Sequence, residues 1–474
     1  MGLAFTATEL LFVSPRMGLS WDESVYVSQV SGHAPAAWFD PARARGVSLL
    51  VAPVAALTSS VAALRVYLSL VCGLGLTLAL WTWRRLRPAW VLGLAGVMFG
   101  GLWVAQYYGP QAMPDIWSAL GGVAAVGFFL RGGNKALAGL GASIAFVTLV
   151  RPGDAVYLAA PLLVAAAIGV WRPLDAAGSG SGPRRWPPAA AIAGGLLAGG
   201  AEWVVEAYAR FGGIASRLRA AGAEQGGFGL HFALPDELRA LNGPTLCRPC
   251  TIGIRYPELD LWWFVLPVLV ALAIMAARPR VVGGDGSPRE KQRRGLGGSS
   301  PRASTVLLPA ACGLCVAAQY LFMIDYAAPR FLLPAYALLA IPAADGLAFL
   351  ITGMGWELRP AMTAVVTCLL AVQLLAQHFV LDHEAGGTMR FHDDYTRIAA
   401  ELATRGVRPP CLIQGVQYIP IAFYAGCASA GSAAPGEHVA QLVQSGRNPP
   451  SYARNWHAYR ITGTTVLKVN AYIR

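Results

Sequence analysis

Trp21-Asp22-Glu23-Ser24-Val25-Tyr26 sets two adjacent carboxylates just beyond the first apolar segment of the chain. Acidic side chains beside a membrane helix are costly unless they are solvated, paired or used. A short polar stretch from His33 to Arg45 follows, and then another apolar run. That order describes a catalytic loop at a membrane surface, where a carboxylate can accept a proton or steer a neighbouring cation. The plainer reading is a solvated loop that caps the next helical turn. Adjacent side chains in extended backbone face opposite ways, so Asp22 and Glu23 need not share one task.

The elements that must hold this loop are membrane helices. The chain has 474 residues, 55% of them hydrophobic and 13% charged, where a soluble domain carries about 25% charged residues. Eleven apolar segments are legible, at residues 1–13, 62–83, 90–107, 115–130, 136–150, 153–171, 188–208, 260–277, 304–324, 331–352 and 361–381. Runs of roughly 17 to 25 apolar residues suit bilayer-spanning helices. Met1 to Val13 is too short, and the expectation is that further helical residues precede it. Gly46 to Ser60, interrupted by Pro53, reads as a helix on the outer surface with Val47, Leu49, Leu50, Val54 and Leu57 toward lipid.

With the N-terminus inside, the internal loops carry Arg84, Arg85 and Arg87, then Arg131 and Lys135, then Arg172, Arg184 and Arg185. The next holds Arg278, Arg280, Arg289, Lys291, Arg293, Arg294 and Arg302, and the last holds Arg359. This satisfies the positive-inside rule. The net charge of +12 is therefore a matter of orientation, not of nucleic-acid binding. Outside lie the loop 14–46, the turn Tyr107 to Pro114, the loop 209–259 and the tail from 382. The long loop offers Phe228, His231, Phe232, Asp236 and Glu237, aromatic and polar residues that could cover a bound substrate by stacking and hydrogen bonding, act as a lid or pack on the tail.

From Tyr395 the character changes. Tyr395 to Thr404 reads as an amphipathic helix ended by Gly406 and Pro409-Pro410. Cys411 to Ile413 reads as a strand, Ile419 to Tyr424 as a helix, and Thr464 to Ile473 as a strand. The domain plan is a transmembrane catalytic domain over 1–381 and a small extracytoplasmic α/β domain over 382–474. Cys247, Cys250, Cys411 and Cys427 fall outside, where three disulfide pairings are open. A zinc site at Cys247-Arg248-Pro249-Cys250 lacks a second Cys or His pair, so no metal site is assigned.

The order of features carries a resemblance. Asp22-Glu23 and Tyr26 follow the first helix, and Leu64-Arg65 starts the next. Tyr107, Tyr108 and Met113-Pro114-Asp115 form an outer turn, and Arg151-Pro152 ends a later helix. Ala328-Pro329-Arg330-Phe331-Leu332-Leu333-Pro334 opens a helix near the end. Over residues 1 to 381 this series resembles membrane glycosyltransferases of the GT-C type, among them the dolichyl-phosphate-mannose mannosyltransferases and the bacterial aminoarabinose transferases. The resemblance implies a polyprenyl-phosphate sugar donor and catalysis at the outer face of the plasma membrane. It implies a lipid, glycan or protein acceptor, and leaves room for a divalent cation, which some members use. Asp22 matches the family's first-loop carboxylate and is the base of choice, with Glu23 in support. Asp115 matches its second-turn acid, and helix capping there is compatible with chemistry. Arg330 matches the arginine that meets the lipid phosphate, since a guanidinium suits phosphate geometry. Arg151 and Arg45 join it as further phosphate candidates, and Arg43 lies as close to the acidic pair as Arg45. The His-Pro-Pro-like segment common in the family is replaced by Arg43-Ala44-Arg45-Gly46.

The rival reading is a transporter or lipid flippase, which would want charges near mid-membrane. Glu202 and Glu206 are its best support, unless they sit at the outer end of their helix. A third reading is a non-catalytic assembly protein whose tail binds cell-wall material.

Overall fold

The computed structural model describes residues 1–171, 186–227, 229–277, 303–430 and 438–474. Arg172, Arg184 and Arg185, the basic run from Arg278 to Arg302, and Phe228 lie outside the described residues. A helical bundle leads the chain: α1 (Gly2–Phe12), α2 (Trp21–Ser28), α3 (Gly46–Ala55), α4 (Val61–Trp81), α5 (Ala89–Gly100), α6 (Trp103–Tyr108), α7 (Pro114–Arg131), α8 (Asn134–Val150) and α9 (Pro152–Ala167). It continues with α10 (Trp186–Phe211), α11 (Ile214–Glu224), α12 (Leu234–Ala240), α13 (Leu261–Ala277), α14 (Ala303–Met323), α15 (Leu333–Gly353) and α16 (Arg359–Thr404). Among the described residues, six helices are long and apolar enough to cross a bilayer: α4, α10, α13 and α15 each with its leading turn, α14 and α16. This is a multi-pass membrane protein.

Each expected apolar segment forms a helix, with local differences. The segment 90–107 breaks after Gly100, because Leu102 is extended, and α6 starts afresh at Trp103. The freed Trp103 N–H is satisfied by Gln377 Oε1 of α16 at 2.9 Å. Helix α7 lies at the centre, against α4, α8, α9, α14 and α15, and is buried over most of its length. Helix α10 meets α8 closely through glycines: a Cβ at Gly195 would sit 2.6 Å from the Gly141 carbonyl. Small residues allow such backbone approach between membrane helices. In α3, Val47 is buried while Leu49 is exposed, as is Leu57 just beyond the helix. Val47 packs inward rather than to lipid because Gly46 lets the helix rest on the Leu149 carbonyl.

Tyr395 to Thr404 is not a separate helix. It is the end of α16, a continuous 46-residue helix, about 70 Å long at 1.5 Å per residue. Beyond it, β1 (Cys411–Gly415), α17 (Tyr418–Ala425), β2 (Ala428–Ser429), β3 (His438–Gln444), β4 (His457–Arg460) and β5 (Val469–Ile473) form a sheet of order β2-β1-β3-β5-β4. Strand β1 pairs parallel with β2 and β3, and β5 pairs antiparallel with β3 and β4. Ile398 and Leu402 of α16 share a buried core with Ile413, Ile421, Leu442 and Ala471. Of the open pairings, Cys247–Cys250 and Cys411–Cys427 are the disulfides present, which removes those thiols from any zinc site.

Candidate active site

Three helices start with proline at one end of the bundle: α7 at Pro114, α9 at Pro152, and the turn Pro329–Leu332 that leads into α15. Proline suits the first helical position, where its missing N–H costs nothing. Each start carries a charged neighbour. Asp115 and Asp154 fall in first turns, where the positive end of the helix favours a carboxylate. Arg330 and Arg151 stand beside them.

The result is a row of alternating charges. Arg43 Nη2 lies 2.7 Å from Asp22 Oδ1, and Arg330 Nη2 lies 3.3 Å from Asp22 Oδ2. Arg330 Nε is 3.6 Å from Asp115 Oδ2. Arg151 donates to Asp115 and lies 3.5 Å from Asp154. Asp154 also accepts from Ser118, at 2.6 Å, and from Tyr320. Thus Asp22, Asp115, Arg330 and Arg151 are brought together. Asp22 keeps 29% of its side chain exposed while Asp115 keeps 1%, so Asp22 is the more open of the two acids. Burial alone would raise the Asp22 carboxyl, but the guanidinium groups of Arg43 and Arg330 outweigh it and hold the carboxyl below its usual range.

Glu23 is placed differently. Ser20 and Glu23 form a capping box: the Ser20 hydroxyl accepts the Glu23 N–H at 3.4 Å, and Glu23 Oε2 accepts the Ser20 N–H at 2.9 Å. Such a box satisfies two orphan donors at once. Glu23 also accepts from the Ala112 N–H at 2.9 Å and from both terminal nitrogens of Arg65. Arg65 gives its remaining bonds to the carbonyls of Met17, Gly18 and Pro110. Glu23 is fully buried, and its partners anchor the start of α2. Burial pushes its carboxyl up, yet Arg65 and the backbone donors bring it below the usual range.

Arg45 stands apart from the row. Its Nη2 is 2.6 Å from Glu206 Oε1 and its Nη1 2.8 Å from Gln29 Oε1, with the guanidinium 4.0 Å over the Phe39 ring. Arg43, two residues earlier, takes the place beside Asp22. Glu206 is held at the end of α10 by Arg45, Arg210 and Arg217, not by a mid-membrane partner. Asp154 and Tyr320 escaped sequence reasoning, although Arg151-Pro152-Gly153-Asp154 repeats the Pro-then-acid signal of Pro114-Asp115. The acidic groups do not fit a divalent cation: Asp22, Asp115 and Asp154 each face a guanidinium, and among the described residues no three His, Cys, Asp or Glu side chains gather.

No protein-family profile and no curated protein matches the sequence. Solved structures do match the fold. ArnT from Cupriavidus metallidurans bound to undecaprenyl phosphate is 12% identical, with a TM-score of 0.64, over 99% of this chain and 96% of that one. ArnT in the apo state gives 0.59 at 12% identity, over 99% and 97%. The chain shares the fold of these ArnT structures. The ArnT-like fold spans the bundle and the tail together, so the tail sheet is part of it.

The loop between α10 and α13 closes over the Arg330 turn of this fold. Cys247 and Ala327 pair through their backbones, Arg330 Nη1 donates to the Thr245 carbonyl at 3.4 Å, and Glu237 Oε1 accepts the Ala328 N–H at 3.4 Å. Burial pushes Glu237 from 4.5 to about 8, offset only in part by that N–H and by Arg330. The native state therefore holds a proton there that the unfolded chain has lost, so stability falls as pH rises from about 4.5 to about 8 and levels off above. Glu237→Gln is expected to flatten this slope, read as melting temperature in detergent at about pH 5 and about pH 9.

Proposed function

We propose that the chain transfers a hexosyl or pentosyl group from a polyprenyl-phosphate donor to an extracytoplasmic lipid, glycan or protein acceptor. The observation that carries the reading is the row Arg43–Asp22–Arg330–Asp115–Arg151, with its one partly open acid, at the proline-started ends of an ArnT-like bundle. On this reading all eleven apolar segments lie in the plasma membrane. The row faces outward, and residues 382–474 form an extracytoplasmic domain.

The donor's phosphate enters beside Arg330 and Arg151, which remain charged at any working pH. As it takes up the Arg330 charge, Asp22 loses a partner and regains basicity. Asp22 accepts the proton of the acceptor hydroxyl, and the oxygen attacks the anomeric carbon. The bond from that carbon to the phosphate oxygen breaks, and polyprenyl phosphate departs with the electron pair. One displacement inverts the anomeric centre, whereas retention would need a second. Asp115 orients the two guanidinium groups, and Glu23 fixes the helix that carries Asp22. No step is assigned to a cation.

The test is purified protein in vesicles with radiolabelled polyprenyl-phosphate mannose or arabinose and an acceptor on the outer side. Transfer with release of polyprenyl phosphate and an inverted product is expected. Labelled donor that crosses the bilayer uncleaved would instead mark a flippase.

A further inference from the structure

We propose that the C-terminal domain takes part in catalysis by holding the backbone at Gly18–Leu19, from which the Asp22 helix starts. This rests on the proposed transfer activity. The Tyr424 hydroxyl, on α17, accepts the Leu19 N–H at 2.6 Å. The Gly18 carbonyl accepts from His392 Nδ1, on the far part of α16, at 2.8 Å, and from Arg65 Nη2, also at 2.8 Å. Two groups from the tail and one from the bundle thus grip a single peptide unit, the Gly18–Leu19 amide, at both its N–H and its C=O. Beside them the Trp21 ring meets Tyr418 edge-on at 5.0 Å.

The approach is as close as the chain permits. A Cβ on Gly18 would lie 2.8 Å from the Tyr424 oxygen and 3.0 Å from His392 Cβ. Glycine is needed here for room, not for backbone angle. The grip continues into the site, since the Arg65 that holds Gly18 also holds Glu23, and Glu23 caps the helix next to Asp22. Neither Tyr424 nor His392 touches Asp22. Both are positioning residues, and their effect is on where the Asp22 carboxylate stands. A misplacement of about 1 Å can cost about a hundredfold in rate, so a small release at Leu19 has consequences at the reacting atoms.

The full-length protein carrying Tyr424→Phe, Gly18→Ala or both tests this. Tyr424→Phe is expected to lower kcat about tenfold while donor KM and melting temperature stay close to wild type. Amide hydrogen exchange over residues 17–24 is expected to quicken about tenfold, with the rest of the bundle unchanged. Gly18→Ala loses more, and adding Tyr424→Phe restores part of the loss, because the oxygen that the new methyl group meets is gone. Wild-type kcat with wild-type exchange in Tyr424→Phe would overturn the proposal. So would a fall in kcat that follows melting temperature with no local change in exchange. Should the wild-type protein transfer no sugar from any polyprenyl-phosphate donor, the functional reading fails by itself. Exchange at residues 17–24 then still decides the grip: unchanged protection in Tyr424→Phe overturns it, and faster exchange there supports it.

Discussion

Glu23→Gln is expected to cost about 3–5 kcal/mol of stability, the range for breaking a buried ion pair from one side. Both partners are sealed from solvent, with 1% of the Arg65 side chain and none of Glu23 exposed. An uncompensated guanidinium would remain among the carbonyls of Met17, Gly18 and Pro110, and an amide cannot accept all four donors that converge on Glu23. A folded domain has only about 5–15 kcal/mol in hand, so the variant should accumulate poorly and melt well below wild type. Arg65→Leu should behave alike. The double replacement Glu23→Leu with Arg65→Leu should recover part of the loss, because removing both charges together is far cheaper than removing one. The pair's contribution has a defined pH window. The Glu23 carboxyl is held below its ordinary range, so its stabilisation is present at neutral pH and is lost as pH falls through the folded-state value. Denaturant midpoints of the three variants, compared in one detergent, check all of this. Near-wild-type stability of Glu23→Gln would contradict it.

Asp22→Asn is expected to lower transfer by about 10² to 10⁴, the range for removing a general base, with little effect on folding. The asymmetry with Glu23 follows from placement. Asp22 is partly open and its partners are side chains of other elements, whereas Glu23 is bound to backbone N–H groups of its own helix start and of Ala112. Donor affinity should change much less than kcat, or rise, because Arg43 and Arg330 would be freed from one negative charge. Initial rates at saturating donor, with melting temperature as the control, separate the two effects.

Much of the site was legible because its signals are local. Pro114-Asp115, Arg151-Pro152 and Pro329-Arg330 each mark a helix start and a charge within two residues, and all three fall in the row. The division between Asp22 and Glu23 was half legible. Ser20 with Glu23 three residues on is a capping signature, but the Arg65 clamp joins residues 42 apart. The choice between Arg43 and Arg45 was not legible at all. Two arginines in one loop differ only in what tertiary structure puts before them, Asp22 for the first and Glu206 for the second. The eleven apolar segments could be read from composition, whereas the break at Gly101 depends on Gln377 of a distant helix. The continuity of α16 was hidden by polar residues around His383 and Gly386, which suggest an end where no proline imposes one. The grip of Tyr424 on Leu19 spans 405 residues and has no sequence signal beyond a glycine.

The most direct measurement is a single-turnover comparison of wild type and Asp22→Asn, both loaded with the same radiolabelled polyprenyl-phosphate sugar and given acceptor on the outer side. With Asp22 as the base, both proteins are expected to bind donor, wild type to release polyprenyl phosphate as sugar appears on acceptor, and Asp22→Asn to retain intact donor. Equal release and transfer by the two proteins would contradict that role.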